Sequence, residues 1–114
     1  MLDAPPDQLL FVYGSLAPGE VNEHVLAPLH GSWQPGKVRG TLHPEGWGAT
    51  YGFPAVRLNN ADASILGKLF HSSELPSQWD MLDEFEGSAY RREITEVSLF
   101  DDTIVKGYIY TLRE

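Results

Sequence analysis

The stretch Leu75 to Gly87, Leu-Pro-Ser-Gln-Trp-Asp-Met-Leu-Asp-Glu-Phe-Glu-Gly, holds one carboxylate where a helix should be apolar. Leu75, Trp79 and Leu82 recur at i, i+4 and i+7, the spacing of a buried helix face. At about 3.6 residues per turn, position 86 returns to within roughly 20° of Leu75, and it is Glu86. Asp80 and Glu84 point the other way, toward water, and Asp83 flanks the face. Gly87 follows at once, as a C-terminal glycine should. An inward carboxylate at a helix C-terminus is disfavoured twice as an anion, by desolvation and by the negative end of the macrodipole. Proton transfer is the commonest good reason to keep such a group. The plainer reading is a half-exposed residue at a fraying helix end.

A second candidate lies near the start. Gln8–Tyr13, Gln-Leu-Leu-Phe-Val-Tyr, is a short apolar run rich in β formers, the pattern of a strand buried on both faces. It runs into Gly14-Ser15-Leu16-Ala17-Pro18-Gly19 and then a short helix over Glu20–Leu29, with Val21, Val25 and Leu29 on one face. Pro28 ends that helix by Leu26 or Ala27. A strand, a glycine loop and a helix start leave convergent backbone N–H groups, which bind carboxylates, phosphates or oxyanions. Ser15 adds a hydroxyl. No G-x-x-x-x-G-K-[ST] spacing occurs, so this is not a P-loop, and Gly14 serves a simple turn equally well.

Other chemistry finds less support. Ser15 lies in Tyr-Gly-Ser-Leu, not G-x-S-x-G. His24, His30, His43 and His71 form no metal spacing and read as structural or solvated. Tyr108 and Tyr110 share one face of the last strand by alternation. Trp33 and Trp47 read as packing, with Trp47 placed to wall a pocket. Arg91 and Arg92 are by default solvated, one of them within reach of the helix carboxylates.

The elements that must position these residues are mostly strands. Residues 1–7 read as a loose N-terminal arm. Strands are expected over Gly36–Leu42, Phe53–Leu58 (at an edge or at its start, because of Pro54), Ile65–Phe70 with a bend or bulge at Gly67, Tyr90–Phe100, and Thr103–Leu112 after a turn at Asp101-Asp102. In the fifth strand, Ile94 is grouped with Val97 and Leu99. His43–Gly52 reads as a long loop. About six strands on one 114-residue domain should curl around a single core, giving an α+β fold with a barrel-like mixed sheet and two short helices. Eleven Gly and eight Pro agree with many turns. A net charge of −8 argues against nucleic acid and anionic membranes as partners. No signal pattern or membrane span is visible, and the lack of cysteine is compatible with a cytoplasmic location.

Two motifs together resemble the gamma-glutamylcyclotransferase-like superfamily, closest to its bacterial and gamma-glutamylamine-cyclotransferase branch. Val12-Tyr13-Gly14-Ser15-Leu16 with Gly19 and Asn22 is similar to its Val-Tyr-Gly-[Ser/Thr]-Leu-x-x-Gly-x-x-Asn signature. Leu82-Asp83-x-x-Glu86-Gly87 with Tyr90 and Arg92 is similar to its Leu-Asp-x-x-Glu-Gly-x-x-Tyr-x-Arg signature. The resemblance implies a barrel that cleaves gamma-glutamyl amides without water or cofactor. The substrate's own α-amine attacks its γ-carbonyl, releasing 5-oxoproline and a free amine. It implies Glu86 as the catalytic acid/base, Tyr13, Gly14, Ser15 and Leu16 as the substrate loop, and Tyr108 as a substrate-binding tyrosine. Some relatives place His directly after the loop Asn. Here Glu23 separates Asn22 from His24. Two other readings stand beside this one: a small-molecule binding domain of the same fold without turnover, and a sheet-edge interaction module with Glu86 exposed.

Overall fold

The computed structural model describes residues 5–13, 25–43, 55–58, 64–86 and 90–112. Its strands are β1 (Leu9–Val12), β2 (Ser32–His43), β3 (Ala55–Leu58) and β4 (Ser64–His71), then β5 (Tyr90–Leu99) and β6 (Ile104–Leu112) after helix α1 (Trp79–Glu86). All four side chains of β1 are buried, as the unbroken apolar run requires. Leu9 and Phe11 join one core with Val38, Ile65, Leu69, Val97, Leu99 and Ile109. Leu10 and Val12 point the other way, into a second core with Phe70, Leu75, Trp79, Leu82 and Tyr110. A central strand with two cores needs apolar residues at every position.

Side by side the strands run β3-β2-β4-β1-β6-β5, and β5 pairs back onto β2 at Gly36↔Leu99 and Lys37↔Ser98. β2, β4, β1, β6 and β5 therefore close into a five-stranded barrel, with β3 on the edge beside β2. The first core fills the barrel and the second lies between its wall and α1. β1 and β6 are parallel and the other pairs antiparallel. The fold is the expected α+β barrel. No described helix is long and apolar enough to cross a membrane.

Several local expectations are corrected. β4 passes through Gly67 in unbroken register, with Gly36↔Gly67 and Leu66 and Lys68 paired on either side, so Gly67 is not a bulge. It is a point of close approach: a Cβ there would run into the Val12 carbonyl oxygen and the Phe11 ring. Gly67→Ala is therefore expected to cost about 1–3 kcal/mol, as overpacking does, read as a lower urea midpoint at unchanged slope. Ile94 does not share a face with Val97 and Leu99. It is 50% exposed, while those two are buried inside the barrel, because an odd spacing reverses the face in a strand. Residues 5–7, expected in a loose arm, are pinned. Pro6–Gln8 is a 3-10 turn, and the Trp79 indole N–H donates to the Asp7 carbonyl at 3.0 Å.

The helix expected over Glu20–Leu29 and the loop over His43–Gly52 lie largely outside the described residues. The described end of the former is a turn, closed by the Leu29 N–H on the Leu26 carbonyl, with Leu26 buried in the second core.

Candidate active site

The stretch expected as one helix is two pieces, a 3-10 turn over Leu75–Ser77 and then α1 from Trp79. Pro76 has no N–H to offer, and the Ser77 hydroxyl takes the Glu74 carbonyl, a local bond that competes with the α-helical pattern. The Gln78 carbonyl then accepts from the Leu82 N–H and α1 begins. Its face is the expected one: Leu75, Trp79 and Leu82 are buried, and Asp80 and Glu84 are exposed.

Glu86, the last residue of α1, is withdrawn from solvent relative to Asp80 and Glu84. Burial pushes its carboxyl up to about 7. Two tyrosines lie within its electrostatic reach. The Tyr90 hydroxyl is raised by its own burial and then by the Glu86 charge. The Tyr110 hydroxyl is raised by burial first, then by its hydrogen bond to Asp83, with a smaller contribution from Glu86. Both tyrosines therefore stay protonated as donors near neutral pH.

A polar network ties α1 to the two last strands. The Tyr110 hydroxyl donates to Asp83 Oδ1 at 2.7 Å. Arg92 donates through Nη2 to Oδ2 at 3.2 Å, and its Nε lies 3.1 Å from Oδ1 as an ion pair, so the guanidinium meets both oxygens of the carboxylate. Its guanidinium lies 4.4 Å from the Trp79 ring and 4.8 Å from the Tyr108 ring. Of the two adjacent arginines, Arg92 is thus the one that meets a helix carboxylate. Arg91 lies 3.2 Å from Glu93, whose carboxylate also accepts from the Thr111 hydroxyl.

The carboxyl ends of β1 and β6 emerge together because those strands are parallel. The Tyr13 hydroxyl donates to the Tyr110 carbonyl at 2.7 Å. The residue that opens the glycine loop is therefore fastened to the strand that faces Glu86. Gly14, Ser15 and Leu16, and with them His24, Trp47 and Gly87, lie outside the described residues. Tyr108 is placed in the stack with Trp79, 5.2 Å between ring centroids, and with Arg92. Tyr110, two residues on, is the tyrosine of β6 whose hydroxyl feels Glu86. The sequence assigns Tyr110 and Tyr90 no site role, although alternation puts Tyr110 on the face of Tyr108 and Tyr90 stands in the second signature. Among the described residues no cluster of histidines and carboxylates is arranged to hold a metal ion.

Fold and site together define a small closed α+β barrel with a partly buried carboxyl at the end of α1, within reach of β5 and β6. A family described as "Gamma-glutamyl cyclotransferase, AIG2-like" matches residues 10–114, and the chain belongs to that family. Among solved structures it is similar to YkqA from Bacillus subtilis, with 29% identity over 93% of this chain and a TM-score of 0.71. It spans 36% of the YkqA chain. An AIG2-like protein from Mus musculus shares the fold at a TM-score of 0.72 and 22% identity, over 91% of this chain and 76% of that one. A gamma-glutamyl cyclotransferase does so at 0.70 and 17% identity, over 93% and 66%. No curated protein matches the chain in direct sequence comparison.

Proposed function

We propose that the protein is a gamma-glutamyl cyclotransferase that releases 5-oxoproline from a gamma-glutamyl amide, with Glu86 as its general acid/base. The observation that carries this reading is the withdrawn Glu86 carboxyl, pushed up to about 7 at the end of α1. A carboxylate of that basicity accepts a proton from the substrate's α-ammonium more readily than a surface carboxylate does. The freed amine attacks the γ-carbonyl carbon and forms the ring C–N bond. The amide C–N bond then breaks, the proton held on Glu86 passes to the departing nitrogen, and the second proton of the attacking nitrogen follows it through the freed carboxylate, so that lactam and ammonium leave. Tyr90 and Tyr110 keep protonated hydroxyls within electrostatic reach of the carboxyl. The Gly14-Ser15-Leu16 backbone is proposed to receive the α-carboxylate or the developing oxyanion. Ring closure is intramolecular, so holding the substrate folded contributes part of the roughly 7–11 kcal/mol available from orientation.

The test is incubation of the purified protein with a panel of gamma-glutamyl amides and amino acids, with 5-oxoproline quantified. Product on at least one substrate is the expected result. Thermal stabilisation by the panel with no product would favour the non-catalytic binding domain instead. The pH profile is a second check. The base form of Glu86 is required, so kcat/KM should climb tenfold per pH unit on the acid side and level off near pH 7, where the free carboxyl titrates.

A further inference from the structure

We infer that Arg92 is a positioning residue for Glu86: paired with both carboxylate oxygens of Asp83, it cancels the charge one helical turn from Glu86 and fixes the end of α1 on β5 and β6. This rests on the acid/base reading of Glu86 only for its consequence in catalysis, since the geometry stands by itself.

Asp83 and Glu86 are three residues apart on α1, which brings their side chains onto neighbouring ground, with Cβ atoms about 5–6 Å apart. An unpaired anion there would repel a second anion at Glu86. Asp83 is instead paired at both oxygens. Oδ1 accepts from the Tyr110 hydroxyl and lies 3.1 Å from Arg92 Nε, and Oδ2 accepts from Arg92 Nη2. Arg92 in turn cannot swing away, because its guanidinium is held over two ring faces, Trp79 of α1 and Tyr108 of β6. Arg92 and Tyr110 are register partners across β5 and β6, so one rung of the sheet supplies both donors. Among the described residues, Tyr90 from β5 and Tyr110 from β6 lie within electrostatic reach of Glu86, and Asp83 with Arg92 lies one helical turn back along α1. The turn Leu75–Ser77 that precedes α1 carries no titratable side chain. The pair presents a cation and an anion side by side, and Glu86 is left with desolvation as the dominant influence on its proton.

Opposite disruptions of the pair must therefore move Glu86 in opposite directions. Asp83→Asn leaves the guanidinium uncompensated and should lower the Glu86 midpoint. Arg92→Gln leaves Asp83 as a bare anion and should raise it. For unit charges about 8 Å apart near a surface the shift is about 0.5–1.5 pH units. The double variant should return to the parent value. The experiment is a carbon-detected NMR titration of the Glu86 carboxyl in the full chain and the three variants, with the acid limb of 5-oxoproline release followed where turnover is present. A Glu86 midpoint that stays put in Asp83→Asn, or that moves the same way in both single variants, overturns the inference. Asp83→Asn keeps an acceptor for Tyr110 and Arg92, so it decides the matter even if Arg92→Gln does not fold. Should no gamma-glutamyl compound be turned over, the functional reading fails while the titration still tests the clamp.

Discussion

Replacing Glu86 by Gln is expected to reduce 5-oxoproline release by at least 10²–10⁴-fold, the usual contribution of a positioned proton-transfer group. The substitution keeps shape and hydrogen-bonding reach but removes the basic oxygen. Substrate affinity should change little, so the loss belongs in kcat. The same variant should be more stable than the parent at alkaline pH, and the sign follows from linkage. The folded-state value of Glu86, about 7, lies above its unfolded value of about 4.3, so the native state holds the proton more tightly. The stability from that proton is complete below about pH 4.3 and is lost as pH rises through 7. Above that the parent must keep an anion in a water-poor seat, and Gln does not. At pH 8 the gain is at most about 4 kcal/mol, less whatever solvent screens at this partly buried site. At pH 4 it should vanish. Urea denaturation at the two pH values measures both. A catalytic loss joined to a stability gain is the mark of a residue kept for chemistry rather than for packing.

Trp79→Ala is the second large effect, with the opposite sign for stability. Trp79 is 7% exposed, packs on Tyr108, sits under Arg92 and donates its indole N–H to the Asp7 carbonyl. Truncation removes the largest side chain that α1 buries, leaves a cavity against the barrel wall and frees the N-terminal turn. A loss of about 3–5 kcal/mol is expected. That is a large part of the roughly 5–15 kcal/mol holding a domain of this size. Trp79→Phe should recover much of it, lacking only the indole hydrogen bond and some area. Thermal and urea unfolding of the two variants side by side give the comparison. If alanine cost less than about 1 kcal/mol, α1 would not be anchored as described, and Glu86 would have no fixed seat.

Much of this arrangement was legible in the residue pattern. The apolar run at β1 announced a strand with two buried faces, and Leu75, Trp79 and Leu82 announced the buried face of α1. Glu86 stood out because the same periodicity that buries those three also turns position 86 inward. What escaped notice depended on register. The Asp101-Asp102 turn was foreseen, and with the Leu99 N–H bonded to the Thr103 carbonyl the hairpin is centred on residue 101. That centring sets Arg92 opposite Tyr110 and Tyr90 opposite Leu112. Without it, Tyr108 and Tyr110 could not be told apart, nor could Arg91 and Arg92, either of which was within reach of a helix carboxylate. Asp102 at φ 68° completes the turn in a conformation that Asp tolerates better than most residues. Gly67 misled for a different reason. Within a strand, a glycine required by a neighbouring backbone looks the same as one required by a bulge, and only the position of Val12 distinguishes them. Ile94 lies three and five residues from Val97 and Leu99, and an odd interval puts it on the opposite face of β5.

The whole account turns on how willingly one side chain gives up its proton. A pH titration of the Glu86 carboxyl carbon in the unmodified protein, followed by NMR from pH 3 to pH 9, reads that property without any substrate. A midpoint near 7 is the predicted result. A midpoint near 4.3, that of a carboxyl in open water, would contradict it and leave the end of α1 without a base.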